Sequence, residues 1–201
     1  MAVSAKTLKT LGRPRGFDMD QALDRAMEVF WRKGYEGASL SDLTEAMGIN
    51  PPSLYAAFGN KEGLFLKVLD RYQAGPGNYL EQAMSAPTAR EAAERLLYGA
   101  VEGQCSQAKP GGCLLVHGAL PPGLGAIQEE LQSRRTAAAQ VIRKRFERAK
   151  DEGDLPRDVD AGDLARFVFA VVGGMAVQAA GGVKKRELKK VADMAMKAFP
   201  T

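Results

Sequence analysis

Apolar residues in this chain recur at spacings of three and four, and no stretch shows convincing alternation with a period of two. That pattern predicts amphipathic helices rather than half-buried strands. Leu23, Ala26, Met27 and Phe30 share one face of a first helix predicted over 18–33, opened by Asp18 with Gln21 in a capping-box-like pair and stopped at Gly34. Leu40, Leu43 and Met47 predict a short second helix over 40–47, with Ser39 as N-cap, Asp42 in the first turn and Gly48 as the stop. Only Gly48, Ile49 and Asn50 separate it from a third helix, predicted over 52–58 with Leu54 and Phe58 inward. Asn50 is the expected N-cap there, and Pro51 is placed at the boundary itself. Asn60 caps a fourth helix over 61–73, with Leu64, Phe65, Val68, Leu69 and Tyr72 inward.

The sequence AGPGN at 74–78 breaks the chain and marks a boundary. Thr88 and Glu91 open a helical run to about residue 107, and KPGG at 109–112 ends it. A short apolar segment over 113–120 stops at PPG, and a long helix is predicted over 124–152. After GDLPRDVD, Asp160 caps a helix to about residue 180, and a last helix covers 184–198. The expected class is all-α, divided into a basic tail (1–16), a compact three-helix unit (17–60), a connecting helix (61–75) and a larger helical domain (76–201).

At 201 residues the chain can bury one good core, or one core and a small appended unit. Its 45% apolar and 26% charged residues are ordinary for a soluble globular protein. Two cysteines, Cys105 and Cys113, make no disulfide framework and point to a reducing, cytoplasmic setting. The N-terminal stretch MAVSAKTLKTLGRPRGF has no apolar core long enough for a signal peptide. Residues 167–183 lack charge, but they fall short of the ~20 residues of a span. They also contain Gln178 and the pairs Gly173-Gly174 and Gly181-Gly182, so a buried or interfacial helix is expected, with no membrane partner. The net charge of +4 matters through its placement: residues 1–16 carry Lys6, Lys9, Arg13 and Arg15 and no acid. The runs Arg143-Lys144-Arg145 and Lys184-Lys185-Arg186 are expected to be solvated helix faces.

Two short helices joined through a glycine-containing turn are the mark of a helix-turn-helix. A helix entering the major groove must approach closely, and Pro52, Ala56 and Ala57 leave room for the bases. Ser53 can hydrogen-bond a base edge or phosphate, and Tyr55 can donate to a phosphate, with core packing as the equal alternative for Tyr55. Lys61 opens the fourth helix, where N–H groups and a cation converge on one more phosphate. Arg13 and Arg15 are placed to reach an adjacent groove or the backbone, the alternative being a disordered tail.

The segments AMEVFWRKGYEGAS, LSDLTEAMGIN and SLYAAFGNKEGLF, within residues 17–72, resemble the N-terminal domain of the TetR/AcrR family of transcriptional regulators. The resemblance implies a homodimeric repressor: an N-terminal helix-turn-helix DNA-binding domain followed by a C-terminal helical ligand-binding and dimerisation domain. It implies a double-stranded, palindromic DNA operator and a small-molecule effector as partners. Pro51, Pro52, Ser53, Tyr55 and Ala57 fall where the family's recognition helix meets DNA, and Ser39, Ser41 and Lys61 at backbone-contact positions. Two departures stand out. Ala38 replaces a frequent threonine, and Ala57 replaces a larger polar residue, which shifts weight toward indirect readout.

No Ser/His/Asp arrangement, carboxylate pair or phosphate loop stands out, so no enzyme and no cofactor is expected. Cys113 and His117 sit at i, i+4 without further ligands, and a metal site needs more. Tyr98, Cys105, Cys113, His117 and Gln178 are the candidate effector-pocket residues. The two cysteines are expected as small buried hydrophobes, with a thiol sensor as the alternative. Gly173 and Gly174 permit either a tight internal contact or a subunit interface. The rival reading is a small helical thiol-dependent enzyme or ligand-binding protein whose helix-turn-helix is merely structural.

Overall fold

In a computed structural model that describes residues 17–106, 109–117 and 125–200, all regular elements among the described residues are helices. Asp18 accepts from the backbone N–H groups of Asp20 and Gln21 and starts α1 (Met19–Gly37). That helix is kinked at Gly34 (φ 70°), the expected stop, and one further turn follows. α2 (Leu40–Met47) is closed at both ends by local chemistry. Ser39 and Asp42 form a full capping box, and Gly48 adopts the left-handed conformation at φ 67°. α3 is Pro51–Phe58, one residue longer at its start than the sequence suggested. The pre-proline residue Asn50 takes the extended conformation, which leaves Pro51 free to serve as the first helical residue. α4 (Lys61–Ala74) starts from Asn60, whose side chain accepts from the Gly63 N–H.

The remaining helices are α5 (Tyr79–Met84), α6 (Ala89–Gln104), α7 (Leu114–His117), α8 (Ala126–Asp151), α9 (Ala161–Ala180) and α10 (Lys185–Ala198). The sequence pattern did not predict α5, whose N-cap Asn78 makes no side-chain cap hydrogen bond. α6 ends at Gln104 rather than near residue 107. One side chain of the run expected to be solvated is buried: Arg145 is inside, donating through Nη2 to the carbonyls of Ala86 and Pro87 and so fixing the turn before α6.

Two hydrophobic clusters organise the molecule. One joins α5, α6, α8, α9 and α10, with Leu96, Leu97, Ile142, Phe146 and Met175 among its buried residues. The other is centred on α1–α4, where Phe30, Phe65, Leu43 and Leu54 are fully buried. Trp31 packs edge-on against Tyr72 at 4.9 Å between ring centres. This second cluster also takes in Cys113, Leu114, Ile127, Leu131 and Ala176. The three-helix unit therefore shares its core with the larger helical part through α4 and α7. Polar clamps reinforce the joint. Arg71 of α4 grips Asp24 of α1 through Nε at 2.5 Å and Nη2 at 2.7 Å, and reaches Asp20 at 2.8 Å. Arg134 of α8 pairs with Asp70 of α4 at 2.7 Å and also bonds the Gln73 side chain.

α9 is longer than the uncharged stretch seen in the sequence. Its 20 residues include Asp163 and Arg166, and by length and composition it could cross a membrane. Leu164, Val168, Val172, Met175 and Ala176 of this helix are nevertheless buried against the rest of the chain.

Candidate nucleic-acid interface and internal cavity

The exposed surface of α3 is made of small and flat groups. Leu54 and Phe58 hold the helix against the core, while Pro51, Pro52, Tyr55 and Ala56 face outward. Tyr55 is 48% exposed, which removes the core-packing alternative. Ser53 is half-buried and its backbone N–H is held by the Asn50 side chain at 2.9 Å. Ala57 is half-buried and, with Phe17, Ile49 and Ser53, lines a groove beside the turn.

The flanking positions are held by local chemistry. Ser39 and Ser41 are exposed at the start of α2. The Ser39 hydroxyl accepts from the Asp42 N–H at 3.0 Å, and Asp42 accepts the Ser39 N–H at 3.0 Å. Lys33, 2.7 Å from Asp42, and the hydrogen bonds that the Asp42 carboxylate accepts from Ser39 hold that carboxyl down at about 2. Ala38 is fully buried, so the position of the frequent threonine is interior in this chain. Lys61 sits at the first position of α4 with its Nζ 4.5 Å over the Tyr35 ring. Tyr35 in turn stacks on Phe30 and packs against Phe65. The cation of Lys61 is thus carried on an aromatic support rooted in the core. Sequence reasoning missed Tyr35, which reaches the core only because the chain kinks at Gly34 just before it. Arg13 and Arg15 lie outside the described residues.

Between α4, α5, α6, α7, α8 and α9 lies a cavity of about 360 Å³, lined mainly by apolar groups such as Leu80, Leu96, Ile142 and Phe169. Its polar groups are few: Tyr72, Gln73, Tyr79, Gln104, Cys113 and Arg135. Of the four predicted residues whose side chains are described, only Cys113 lines it. The buried Cys113 thiol is pushed up in pKa by burial, although it hydrogen-bonds Tyr72 and the backbone N–H groups of Leu115 and Val116. The Arg135 guanidinium donates to the Leu115 carbonyl at 2.9 Å and to Gln132 Oε1 at 2.6 Å.

Tyr98, by contrast, faces α10 and donates to Asp193 at 2.6 Å; that carboxylate pushes the phenol up to about 12. Cys105 caps α6 beside a separate surface groove with Gly111 and Lys185. Gln178 is exposed on α9. The side chain of His117 lies outside the described residues. Tyr79, Gln104, Arg135 and Phe169 were not anticipated; a glutamine on the apolar stripe of α6 was the one visible hint. Gly173 and Gly174 also reach the cavity wall, and a Cβ at either would meet nothing within 4 Å, so no tight internal contact accounts for them.

Comparison with known proteins places this geometry. The sequence model described as "Bacterial regulatory proteins, tetR family" matches residues 22–68. The HTH-type transcriptional repressor ComR of Escherichia coli (strain K12) is 35% identical over 197 residues, 96% of this chain and 93% of the relative. BdcR, a repressor of the same organism, is 49% identical over 70 residues, 35% of this chain and 36% of the relative. Among solved structures, a cysteine mutant of the regulator CifR complexed with a 26bp double-strand operator DNA superposes with a TM-score of 0.89. It is 45% identical, and the match covers 94% of this chain and all of that one.

Proposed function

This chain belongs to the TetR family of DNA-binding transcriptional regulators, and from that premise we propose that it is a repressor that binds a palindromic operator as a homodimer and is released by a small ligand. It is a regulator rather than an enzyme. The observation that carries the proposal is the capped helix-turn-helix, with Leu54 and Phe58 buried while Pro51, Pro52 and Tyr55 are offered to solvent. The relative ComR is named a repressor, and CifR is seen on operator DNA.

In this reading Pro51, Pro52, Ser53 and Ala57 meet the major-groove edges, while Tyr55, Lys61, Ser39 and Ser41 hold phosphates. Arg13 and Arg15 extend the backbone contact. Two copies would set their α3 helices about one DNA turn apart, ~34–36 Å, or farther. The effector would occupy the cavity. Tyr72 and Gln73 of α4 form part of its wall, and Lys61 lies at the other end of the same helix. A ligand that fits one tilt of α4 better than another shifts the DNA-binding equilibrium by that difference in affinity.

The direct test is a gel shift with the DNA upstream of the chain's own gene at several salt concentrations. Tyr55→Phe should weaken binding roughly tenfold or more, the worth of a hydrogen bond to a charged acceptor. Lys61→Ala should reduce the salt slope by about one phosphate contact. Unchanged affinity and slope in both variants would refute these roles.

A further inference from the structure

Among the described residues, one buried polar atom of a cavity-lining side chain has no hydrogen-bond partner. Gln104 closes α6 and is 1% exposed. Its Nε2 donates to the Val172 carbonyl at 3.3 Å, and its side chain also bonds the Tyr79 phenol. The Val172 bond fixes the amide's orientation, because a carbonyl can only accept. Gln104 Oε1 is then left buried with no hydrogen-bond partner among the described residues, on a side chain that borders both the cavity and the neighbouring surface groove. Native interiors rarely keep such an acceptor unpaired. The backbone cannot relieve it by moving, since the Gln104 carbonyl is itself held by the Gly112 N–H at 2.9 Å.

We propose that the cavity takes an uncharged, largely apolar molecule bearing one hydroxyl group, which donates to Gln104 Oε1. The assignment rests on the cavity being the effector site and names the ligand's chemistry there. An orphan acceptor selects a donor and repels a carboxylate. Leu80, Leu96, Ile142 and Phe169 take the hydrocarbon body. At about 360 Å³ the space suits a compact ligand, near the lower end of the ~300–1,000 Å³ usual for small-molecule sites. Arg135 is the one cation on the wall, but its guanidinium already serves the Leu115 carbonyl and Gln132.

Three probes with one carbon skeleton separate the alternatives: 2-phenylethanol, ethylbenzene and phenylacetate, each titrated calorimetrically into the full-length protein without DNA. The alcohol should bind roughly three- to tenfold tighter than the hydrocarbon, the worth of one neutral hydrogen bond, and phenylacetate should bind weakest. Gln104→Met keeps the side-chain volume and should bring the alcohol-to-hydrocarbon ratio to about one while ethylbenzene binding persists. Phenylacetate binding tightest, alcohol and hydrocarbon binding alike, a ratio unmoved by Gln104→Met, or no binding of any probe would each overturn the assignment. If Gln104→Met does not fold, the ranking on the unaltered protein decides. Alcohol binding that leaves the operator gel shift unchanged would sustain the ligand assignment and refute ligand release.

Discussion

Asp42 shows how much one side chain does at the start of α2. It accepts from the Ser39 backbone, pairs with Lys33 and faces a hydroxyl that caps its own N–H. Removing that hydroxyl in Ser39→Ala should cost about 1 kcal/mol, the ordinary worth of an N-cap, read from denaturant unfolding. The carboxylate adds a pH signature. Folding lowers its pKa from 3.8 to about 2, so its contribution is fully present above the unfolded value and fades as pH falls through the folded one. Asp42→Asn should therefore lower the melting temperature at pH 7, and the gap from the unaltered protein should narrow below about pH 4. A gap as wide at pH 3 as at pH 7 would mean that the charge is not what matters. Lys61 is different in kind. Its support on Tyr35 restrains a cation whose use lies outside the protein, so Tyr35→Leu should weaken operator binding more than it alters the salt slope.

At the scale of the helix, the junctions rather than the helices carry the specificity. A Cβ added to Gly63, in the first turn of α4, would lie 2.2 Å from the Phe58 carbonyl oxygen. Backbone cannot yield as a side-chain tip can, so Gly63→Ala must part α3 from α4. It should cost more stability than Gly48→Ala, where the strain is about 1–2 kcal/mol of left-handed backbone. Paired denaturation curves order the two, and the reverse order would refute the clash. The same contrast explains what the sequence disclosed. Asp18, Ser39, Asn50, Asn60, Thr88 and Asp160 each accept a backbone N–H within three residues, so six helix starts were visible from local spacing alone. α5, α8 and α10 lack a side-chain cap bond; α5 was missed and α8 was begun two residues early, while the start of α10 was found to within one residue from its apolar stripe. The cavity was hidden for another reason. It is assembled from six helices spread along the sequence, and a position's face on its own helix decides membership. Tyr98 and Gln104 share α6, yet one faces α10 and the other the cavity.

For the whole molecule, the surface of α8 and α9 is the feature that a single chain leaves unexplained. Val141, Phe167 and Val177 expose large apolar side chains there, Phe167 at 40% and Val177 at 49%. Gly173 and Gly174 lie along the same helix with open space where a Cβ would stand. A partner's α8 and α9 packed on this surface would form a four-helix bundle, and small residues would let the backbones approach. Both side chains are already about half covered, so burying what remains of Phe167 and Val177 is worth about 1 kcal/mol each. Phe167→Glu combined with Val177→Glu should therefore turn the protein into a monomer in sedimentation experiments, since a buried unpaired carboxylate is far costlier than the apolar gain. Operator affinity should fall by about 10²–10⁴, because the second half-site loses its tethered reader. Met194, 63% exposed on α10, provides the control. Met194→Glu adds a like charge to an exposed apolar site on α10, outside the α8 and α9 surface, and should change neither the association state nor the gel shift. Dimers that survive the double substitution with full operator affinity would move the interface elsewhere on the molecule.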